Sequence, residues 1–332
     1  GTPRFASFNR VSFSNVTSAA VYIIPSGNDS CDQWFTLSNA TIHAQSHGIY
    51  LEYPKTYAIG GYGGRSKVVL NNVSLTAGLR GGDGIRIVGA YNQTSTFTNT
   101  TFTTYGGANF HLRSTCNEDL YPVFQGVHGS PPSGYDIVKY GGANMRLNTA
   151  NSLSGRLGIY EGWLRGVAQT NGSPFGASSA VELDPAAALQ LDAVAGAANT
   201  ALPDVIFRNG TPQIFMNGVA GGGSWTGSRL TRTGRSSLIV KGAGSGSALG
   251  ANDKLFLASP PAVTNGMIPP YLAEYTADFL TYDGASTGIK RTTYTASDVN
   301  LAGPADRLYY GVAQTLNSSR EVYAVRGELN GI

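Results

Sequence analysis

Four short segments in the first 150 residues repeat one pattern: an apolar residue, a spacer, an asparagine, a variable residue and then threonine or serine. Each segment is followed by a second run in which apolar residues alternate with others, as in a half-buried β-strand. The asparagines are Asn15, Asn39, Asn72 and Asn99, and the second runs begin at Val21, Ile49, Ile85 and Phe110. A unit of about 20 to 35 residues cannot bury its own apolar face, so the repeat predicts stacked coils of short strands.

The repeat predicts an all-β chain folded as a right-handed parallel β-helix. In that fold the cross-section of the coil stays constant while the lengths of the loops vary. The interval from each asparagine to its second strand varies in the same way, from 6 to 13 residues. Asparagine tolerates the left-handed backbone of a tight bend, and neighbouring strands lie about 4.8 Å apart. A buried amide without partners costs about 1–3 kcal/mol. We therefore expect the four asparagines to form an inward ladder of amide hydrogen bonds.

The composition changes near residue 150, where Ala, Gly, Val and Leu replace the asparagine pattern. We interpret residues 1–150 as coils with the ladder and variable loops, and residues 151–332 as a continuing β-helix. A fifth second strand is expected at Met145 and Leu147. Gly, Asn and Pro separate the further strand-like segments, which are Val181–Leu183, Ala188–Leu191, Val205–Phe207, Gln213–Phe215, Leu238–Val240 and Lys254–Leu257.

The last third of the chain contains a characteristic series of turns and strands. The series includes Leu230-Thr231-Arg232, Asn265-Gly266-Met267-Ile268-Pro269-Pro270, Ala277-Asp278-Phe279-Leu280-Thr281-Tyr282-Asp283 and Tyr294-Thr295. Residues 228–330 thereby resemble the autotransporter-associated β-strand repeat region of large exported bacterial surface proteins. The resemblance implies a passenger-type β-helix that is exported and displayed at the cell surface.

Charge is sparse and evenly spread. Charged residues make up 13% of the chain, with 23 basic and 20 acidic side chains. A protein that binds nucleic acid through phosphate contacts concentrates its basic side chains in a patch or stripe, and this sequence has none. No apolar run approaches the length of a membrane-spanning helix. We expect no nucleic-acid partner, no transmembrane segment and no cofactor.

Four pairs of charged residues are candidates for catalysis: Asp83 with Arg86, Glu118 with Asp119, Asp136 with Lys139, and Glu161 with Arg165. Enzymes that cleave polysaccharides need clustered carboxylates. No pair recurs at one register on adjacent coils, so we predict no catalytic residue. The histidines are His43, His47, His111 and His128. His43 and His47 have the spacing of a helical zinc pair but lie in β sequence, so we predict no metal site.

Cys31 and Cys116 are the only cysteines. About three coils, or about 14 Å, would separate them along the stack, whereas a disulfide joins Cα atoms within about 7 Å. They can form a disulfide only if the loops 25–34 and 114–135 reach across, which their length permits. Asn28 and Asn92 lie in predicted loops and are the candidate glycosylation sites.

Tyrosines form two groups that could bind a sugar or a surface, although tyrosine in β proteins also packs on flat sheet faces with its hydroxyl in water. The groups are Tyr50, Tyr53, Tyr57 and Tyr62, and Tyr309 with Tyr310.

The expected function is that of an exported structural or adhesive protein at the cell surface, and not of an enzyme. The open strand edges of a rod favour end-to-end self-association or continuation into a longer chain. Loops would then contact carbohydrate or another surface ligand. Two alternatives remain. A carbohydrate-active enzyme of pectate-lyase-like shape would bring carboxylates together in one groove, and a phage-type tailspike would be trimeric.

Overall fold

The computed structural model describes most of the chain. It covers residues 4–23, 33–52, 65–88, 91–92, 95–113, 122–125, 134–142, 144–197, 199–218, 223–242, 249–275, 278–284, 286–311, 314–315, 317–319 and 321–327. All regular structure in these ranges is β, and none of their residues is helical. The prediction of an all-β chain is therefore confirmed over the described residues.

The described residues form 28 strands. In chain order they are β1 (Arg4–Asn9), β2 (Ser12–Val16), β3 (Val21–Ile23), β4 (Gln33–Ala44), β5 (Ile49–Glu52), β6 (Arg65–Ala77), β7 (Ile85–Val88), β8 (Tyr91–Asn92), β9 (Thr96–Thr98), β10 (Thr101–Thr104), β11 (Phe110–Arg113), β12 (Val123–Gln125), β13 (Tyr135–Tyr140), β14 (Asn144–Leu147), β15 (Arg156–Val167), β16 (Ala180–Asp192), β17 (Thr200–Leu202), β18 (Asp204–Gly210), β19 (Gln213–Asn217), β20 (Trp225–Gly227), β21 (Leu230–Ser236), β22 (Leu238–Gly242), β23 (Leu255–Leu257), β24 (Leu272–Glu274), β25 (Leu280–Asp283), β26 (Gly288–Arg291), β27 (Arg307–Tyr310) and β28 (Ala324–Gly327).

The strands assemble into sheets of eight, thirteen, five and two strands. Among the described strand pairs, β25 with β26 is antiparallel and all the others are parallel. The predicted second strands are direct neighbours in the sheet. Val21 pairs with Ile49, Ile49 pairs with Ile85, and Ile85 pairs with Phe110. The thirteen-stranded sheet also crosses residue 150 without a break, since β13 pairs with β15.

The long strands of the eight-stranded sheet bend at asparagines. Asn39 in β4 and Asn72 in β6 have φ of 51° and 54°, and Asn99 between β9 and β10 has φ of 48°. The Asn72 Nδ2 donates to the Asn39 Oδ1 at 3.2 Å, and the Asn99 Nδ2 donates to the Asn72 Oδ1 at 3.2 Å. Three of the four predicted residues therefore lie in one row of side-chain hydrogen bonds.

The first member of that row is Asn9 and not the predicted Asn15. The Asn39 Nδ2 donates to the Asn9 Oδ1 at 3.0 Å. Asn15 also has a positive φ, 57°. However, it lies in β2 at a shift in the register against β4, and its neighbours pair with residues of β4 that come after Asn39. The predicted inward direction was also wrong, because the row lies on the exposed side of the bend. Water can solvate these amides, so an unpaired one there costs less than a buried one.

Apolar residues of successive strands form columns in a single core. In the eight-stranded sheet Leu37, Leu70, Phe97 and Phe124 follow one another as register partners and are at most 1% exposed. The rings of Phe97 and Phe110 lie 5.7 Å apart, so the inner faces of the two large sheets pack together. Burying each such side chain contributes about 1.5–3 kcal/mol, which makes the columns the main source of stability.

Three strands, β13, β14 and β16, differ from the predictions. The predicted segments Val181–Leu183 and Ala188–Leu191 belong to one continuous strand, β16. The strand that follows β11 in the sheet is β13, which the sequence did not predict. The predicted fifth second strand exists as β14, but it pairs with the second half of β15. The strands near Val205, Gln213, Leu238 and Leu255 are present.

The repeat-like C-terminal segments hold neighbouring turns together. The Tyr282 hydroxyl donates to the Leu257 carbonyl at 2.9 Å and accepts its N–H at 2.8 Å. The Tyr294 hydroxyl donates to the buried carboxylate of Asp278 at 2.7 Å, and Arg326 pairs with the same carboxylate. Burial, with this hydrogen bond, raises the pKa of Tyr294 to about 12. These motif residues thus act as structural ties between segments that are distant in the sequence.

Candidate functional site

A pocket of about 390 Å³ opens on the outer face of the thirteen-stranded sheet, across β7, β11, β13 and β15. Small-molecule pockets in proteins typically measure about 300–1,000 Å³. Its polar and aromatic lining consists of Asp83, Arg86, His111, Tyr135, Tyr140 and Tyr160, and Gly82, Gly106, Gly107, Ala108 and Val138 complete the wall.

Asp83 is the centre of this site and is 4% exposed. Its Oδ1 accepts the Ala108 N–H at 3.0 Å, and its Oδ2 lies 3.0 Å from the His111 Nδ1 and 3.5 Å from an Arg86 nitrogen. Burial raises the pKa of this carboxyl, but the hydrogen bond from His111 and the positive charge that this imidazole carries when protonated, together with the Ala108 N–H, outweigh burial and hold the pKa below its ordinary value. Asp83 is therefore an anion that orients two side chains.

The imidazole of His111 lies in a stack of rings. It packs at 5.6 Å from the Tyr140 ring, which packs in turn at 4.5 Å from the Tyr160 ring. The Nδ1–H of His111 donates to Asp83, so the Nε2 keeps its lone pair in the neutral tautomer. That Nε2 is buried and has no hydrogen-bond partner within the described residues. An oriented imidazole with a free nitrogen can accept a hydrogen bond or a proton.

His47 supports the site from the neighbouring turn. Its Nδ1 accepts the backbone N–H of Asp83 at 2.9 Å, so this nitrogen carries no proton and the 3.6 Å approach to the carboxylate is not an ion pair. Burial lowers the pKa of His47 below its ordinary value of 6.5 despite the nearby charge of Asp83. His47 is thus a neutral residue that fixes the backbone of Asp83.

Arg86 supplies the positive charge of the pocket. Its guanidinium lies 5.8 Å from the centre of the Tyr50 ring, and its side chain is 28% exposed. The buried Nε–H has no acceptor in the part of the chain that the structure describes. A guanidinium presents its donors in a planar fork that matches a carboxylate, so Arg86 can bind an anionic group at the pocket mouth.

Two glycines make room for these side chains. A Cβ on Gly107 would overlap the Asp83 Oδ1, and a Cβ on Gly158 would lie 3.2 Å from the Tyr135 ring and 3.3 Å from the Tyr160 ring. Side chains at these positions would therefore displace the central carboxylate or the two tyrosines. Gly106, Gly107 and Ala108, which precede β11, form part of the pocket wall.

A second charged cluster lies beside the pocket around Glu182, which is 5% exposed. The Tyr135 hydroxyl donates to Glu182 at 2.7 Å, Arg156 binds it at 2.9 Å and Arg208 lies 3.0 Å away. Burial and the Glu182 contact raise the pKa of Tyr135 to about 12, so this hydroxyl keeps its proton. The cluster fixes Tyr135 at the pocket edge.

Of the candidate pairs, Asp83 with Arg86 belongs to the pocket. Asp136 and Lys139 each have a structural role outside the pocket. Asp136 accepts hydrogen bonds from Asn109 and from the backbone N–H groups of residues 154 and 155. Lys139 is fully buried and donates to the carbonyls of residues 141 and 161 at 2.7 Å, and burial lowers its pKa to about 8.

The remaining predicted residues lie elsewhere. Glu161 accepts the Gly141 N–H, whereas Arg165 pairs with Asp192. His43 is exposed and is not among the residues that line the pocket. Tyr309 and Tyr310 are half-buried near the C-terminal end. Several predicted residues lie outside the described ranges, namely Cys31, Cys116, Asn28, Glu118, Asp119, His128, Tyr53, Tyr57 and Tyr62, and for Asn92 only the backbone is described.

His111, Tyr140 and Tyr160 belong to the site but were not predicted as site residues. A signal for His111 was present, because the alternating second strands put Arg86 and His111 one residue after Ile85 and Phe110, in one outward row. No comparable signal existed for Tyr140 and Tyr160, since β13 had not been predicted and their register was unknown.

Within the described ranges, no three His, Cys, Asp or Glu side chains lie close enough together to hold a metal ion. The same residues contain no helix of the length and apolarity needed to cross a membrane. No protein-family model, no curated protein and no solved structure matches the chain.

Proposed function

We propose that the sheets close into a right-handed parallel β-helix. In the first half the chain alternates between the two large sheets, from β4 to β5, then to β6 and β7, and each return adds a parallel neighbour. Parallel connections within one sheet are right-handed in about 98% of cases. One column of core residues supports this, running through Ile49, Ile85, Phe110, Ile137, Leu157, Val181, Val205 and Leu230 as successive register partners.

The proposed role of this rod is adhesion as an exported cell-surface protein. Residues 228–330 resemble the repeat region of exported bacterial surface proteins, and the sparse charge agrees with a long, uniformly folded rod. In that setting the loops and flanks of the rod are the surfaces on which a ligand binds.

The proposed ligand is an acidic saccharide, held in the pocket around Asp83, Arg86 and His111. The observation that carries this proposal is the cluster itself: a buried carboxylate orients a guanidinium and an imidazole beside three tyrosines. Phenol, guanidinium and imidazole groups together donate and accept the hydrogen bonds that sugar hydroxyls require. The partly exposed Arg86 adds selectivity for a carboxylate.

Calorimetric titration with tetragalacturonate tests the proposal. The wild-type chain should bind it, and Arg86→Gln should weaken binding by about tenfold or more, which corresponds to about 1.4 kcal/mol. His111→Phe keeps the ring stack and should also weaken binding. Arg232→Gln is the matched control, because Arg232 also lies over a tyrosine ring, that of Tyr271, on the same sheet. Absence of binding by the wild-type chain, or equal binding by Arg86→Gln, would contradict the proposal.

The contact between Asp83 and His111 favours a second candidate, a carbohydrate-active enzyme that acts by elimination. An oriented imidazole is suited to be a general base. It would take the proton from the carbon next to the uronate carboxyl group, and the electron pair of that C–H bond would form a carbon–carbon double bond as the glycosidic C–O bond on the next carbon breaks. The departing oxygen would take a proton from water and leave as a hydroxyl group. Hydrolysis is less favoured, because Asp83 is the one carboxylate among the described lining residues. Incubation with polygalacturonate, followed by ultraviolet detection of the unsaturated product, tests this candidate.

A further inference from the structure

The outward face of the thirteen-stranded sheet continues the pocket in both directions along the stack of strands. We call this surface the binding strip and define it by Tyr22, Tyr50, Arg86, Tyr160, Arg156 and Arg208. Its members lie on β3, β5, β7, β15 and β18, which belong to one sheet. The pocket is therefore the central part of a longer surface.

On one side of the pocket the strip is aromatic. Tyr22, Tyr50 and Arg86 are successive register partners. The rings of Tyr22 and Tyr50 stack at 5.0 Å, and Tyr22 is 52% exposed. The carboxylate at this end, that of Glu52, accepts the Tyr22 hydroxyl at 2.8 Å. This end offers ring edges and hydroxyl groups to a neutral part of a ligand.

On the other side the strip is cationic at its surface. Arg156 and Arg208 both bind Glu182, whose side chain is 5% exposed, whereas the two arginine side chains are 39% and 41% exposed. The same arrangement holds at the pocket, where the buried Asp83 lies beneath the partly exposed Arg86. At Glu182 and at Asp83 the negative charge thus lies beneath the surface, and the arginine groups above it are partly exposed.

We propose that the binding strip holds a linear polysaccharide containing uronic acids, with its chain parallel to the stack of strands. The proposal rests on the saccharide site proposed above. From β3 to β18 there are seven strand steps in the sheet order, or about 34 Å at about 4.8 Å per step. Arg86 lies three strand steps from Arg156, and the guanidinium groups of Arg156 and Arg208 meet at Glu182. The strip therefore presents two cationic places about 14 Å apart, and a polymer with carboxylates spaced along its chain can reach both.

Affinity measured against ligand length tests the inference. Oligogalacturonates from dimer to octamer are titrated into the unmodified chain at low and at moderate salt. The dissociation constant of the octamer should be lower than that of the dimer by about tenfold or more, and salt should weaken octamer binding more strongly than dimer binding. Equal dissociation constants for dimer and octamer would overturn the strip and leave the pocket, whereas failure of every length to bind would overturn the pocket itself.

Variants at the two ends of the strip locate the contacts. Arg208→Gln and Tyr22→Ala should weaken octamer binding by about threefold to tenfold and leave dimer binding unchanged. Arg229→Gln is the matched control, because Arg229 is an exposed arginine whose ion pair, with Asp204, lies outside the strip. An octamer affinity that both end variants leave unchanged would overturn the inference, and circular dichroism verifies that each variant is folded.

Discussion

Substitution of Asn72 should reveal how much the asparagine row stabilises the chain. Asn72 donates one ladder hydrogen bond and accepts another, both 3.2 Å long, and its φ is 54°. Asn72→Ala removes both bonds, each worth about 0.5–1 kcal/mol at an exposed position. It also puts an ordinary residue in a left-handed conformation, which costs about 1–2 kcal/mol. The expected loss of stability is about 2–4 kcal/mol.

Two further variants separate these contributions. Asn72→Gly loses the same hydrogen bonds but adopts the positive φ without strain, so it should destabilise the chain by about 1 kcal/mol less than alanine does. Asn15→Ala is the matched control within the chain, because Asn15 has a φ of 57° but is not part of the row. It should cost only the backbone contribution, about 1–2 kcal/mol.

The assay is urea denaturation followed by circular dichroism, with the shift in midpoint converted through the common slope. The reasoning is refuted if Asn72→Ala and Asn15→Ala shift the midpoint equally, because the row would then contribute nothing. It is also refuted if glycine at position 72 is as costly as alanine, because the left-handed bend would then carry no strain.

Three other predictions concern the site and the buried charges. Gly107→Ala should destabilise the chain by about 1–3 kcal/mol by displacing Asp83, whereas Gly142→Ala, with nothing within 4 Å of its new Cβ, should be neutral in the same denaturation assay. His47 has a pKa below 6.5, so the stability that comes from its neutral form is fully present above pH 6.5 and is lost as the pH falls below that value. The His47→Asn variant should therefore lose less stability between pH 7 and pH 5 than the wild type does. An equal loss in both proteins would contradict the argument. Burial lowers the pKa of Lys139 to about 8, so its charged form at pH 7 reduces the stability of the folded chain by about 3 kcal/mol. Between pH 7 and pH 10 the wild type should therefore gain stability relative to Lys139→Met. Parallel curves of stability against pH for the two proteins would refute this.

The asparagine repeat and the alternating strands made much of the parallel register predictable. Ile49, Ile85 and Phe110 were recognisable as equivalent because each follows an asparagine segment by a short interval, and they pair in the structure. Asn9 was not recognisable, since the bend that follows β1 has Arg10, with a φ of 57°, in place of asparagine. The amide of Asn9, one residue before Arg10, completes the row instead. Its participation depends on how far its side chain reaches and not on the spacing of the repeat.

The site was harder to predict than the fold. Asp83 and Arg86 are close in sequence, but their importance depends on His111 and Tyr160, which come from strands 25 and more residues away. The number of residues between successive strands of the sheet varies, so spacing alone could not align β13 and β15 with β11. The structure supplies that register and thereby brings the imidazole and the tyrosines to the carboxylate.

Engineered cysteine pairs most directly test the parallel register, in which each residue of one strand lies beside a defined residue of the next. Thr41 and Ser74 are exposed register partners, as are Ser74 and Thr101. Neighbouring positions lie about 4.8 Å apart, within the range of a disulfide, whereas Thr41 and Thr101 are two strands apart. In a chain with Cys31→Ser and Cys116→Ser, oxidation followed by mass spectrometry should show disulfides for both adjacent cysteine pairs and none for the pair at 41 and 101. A disulfide between 41 and 101, or none in either adjacent pair, would contradict the stacked parallel register.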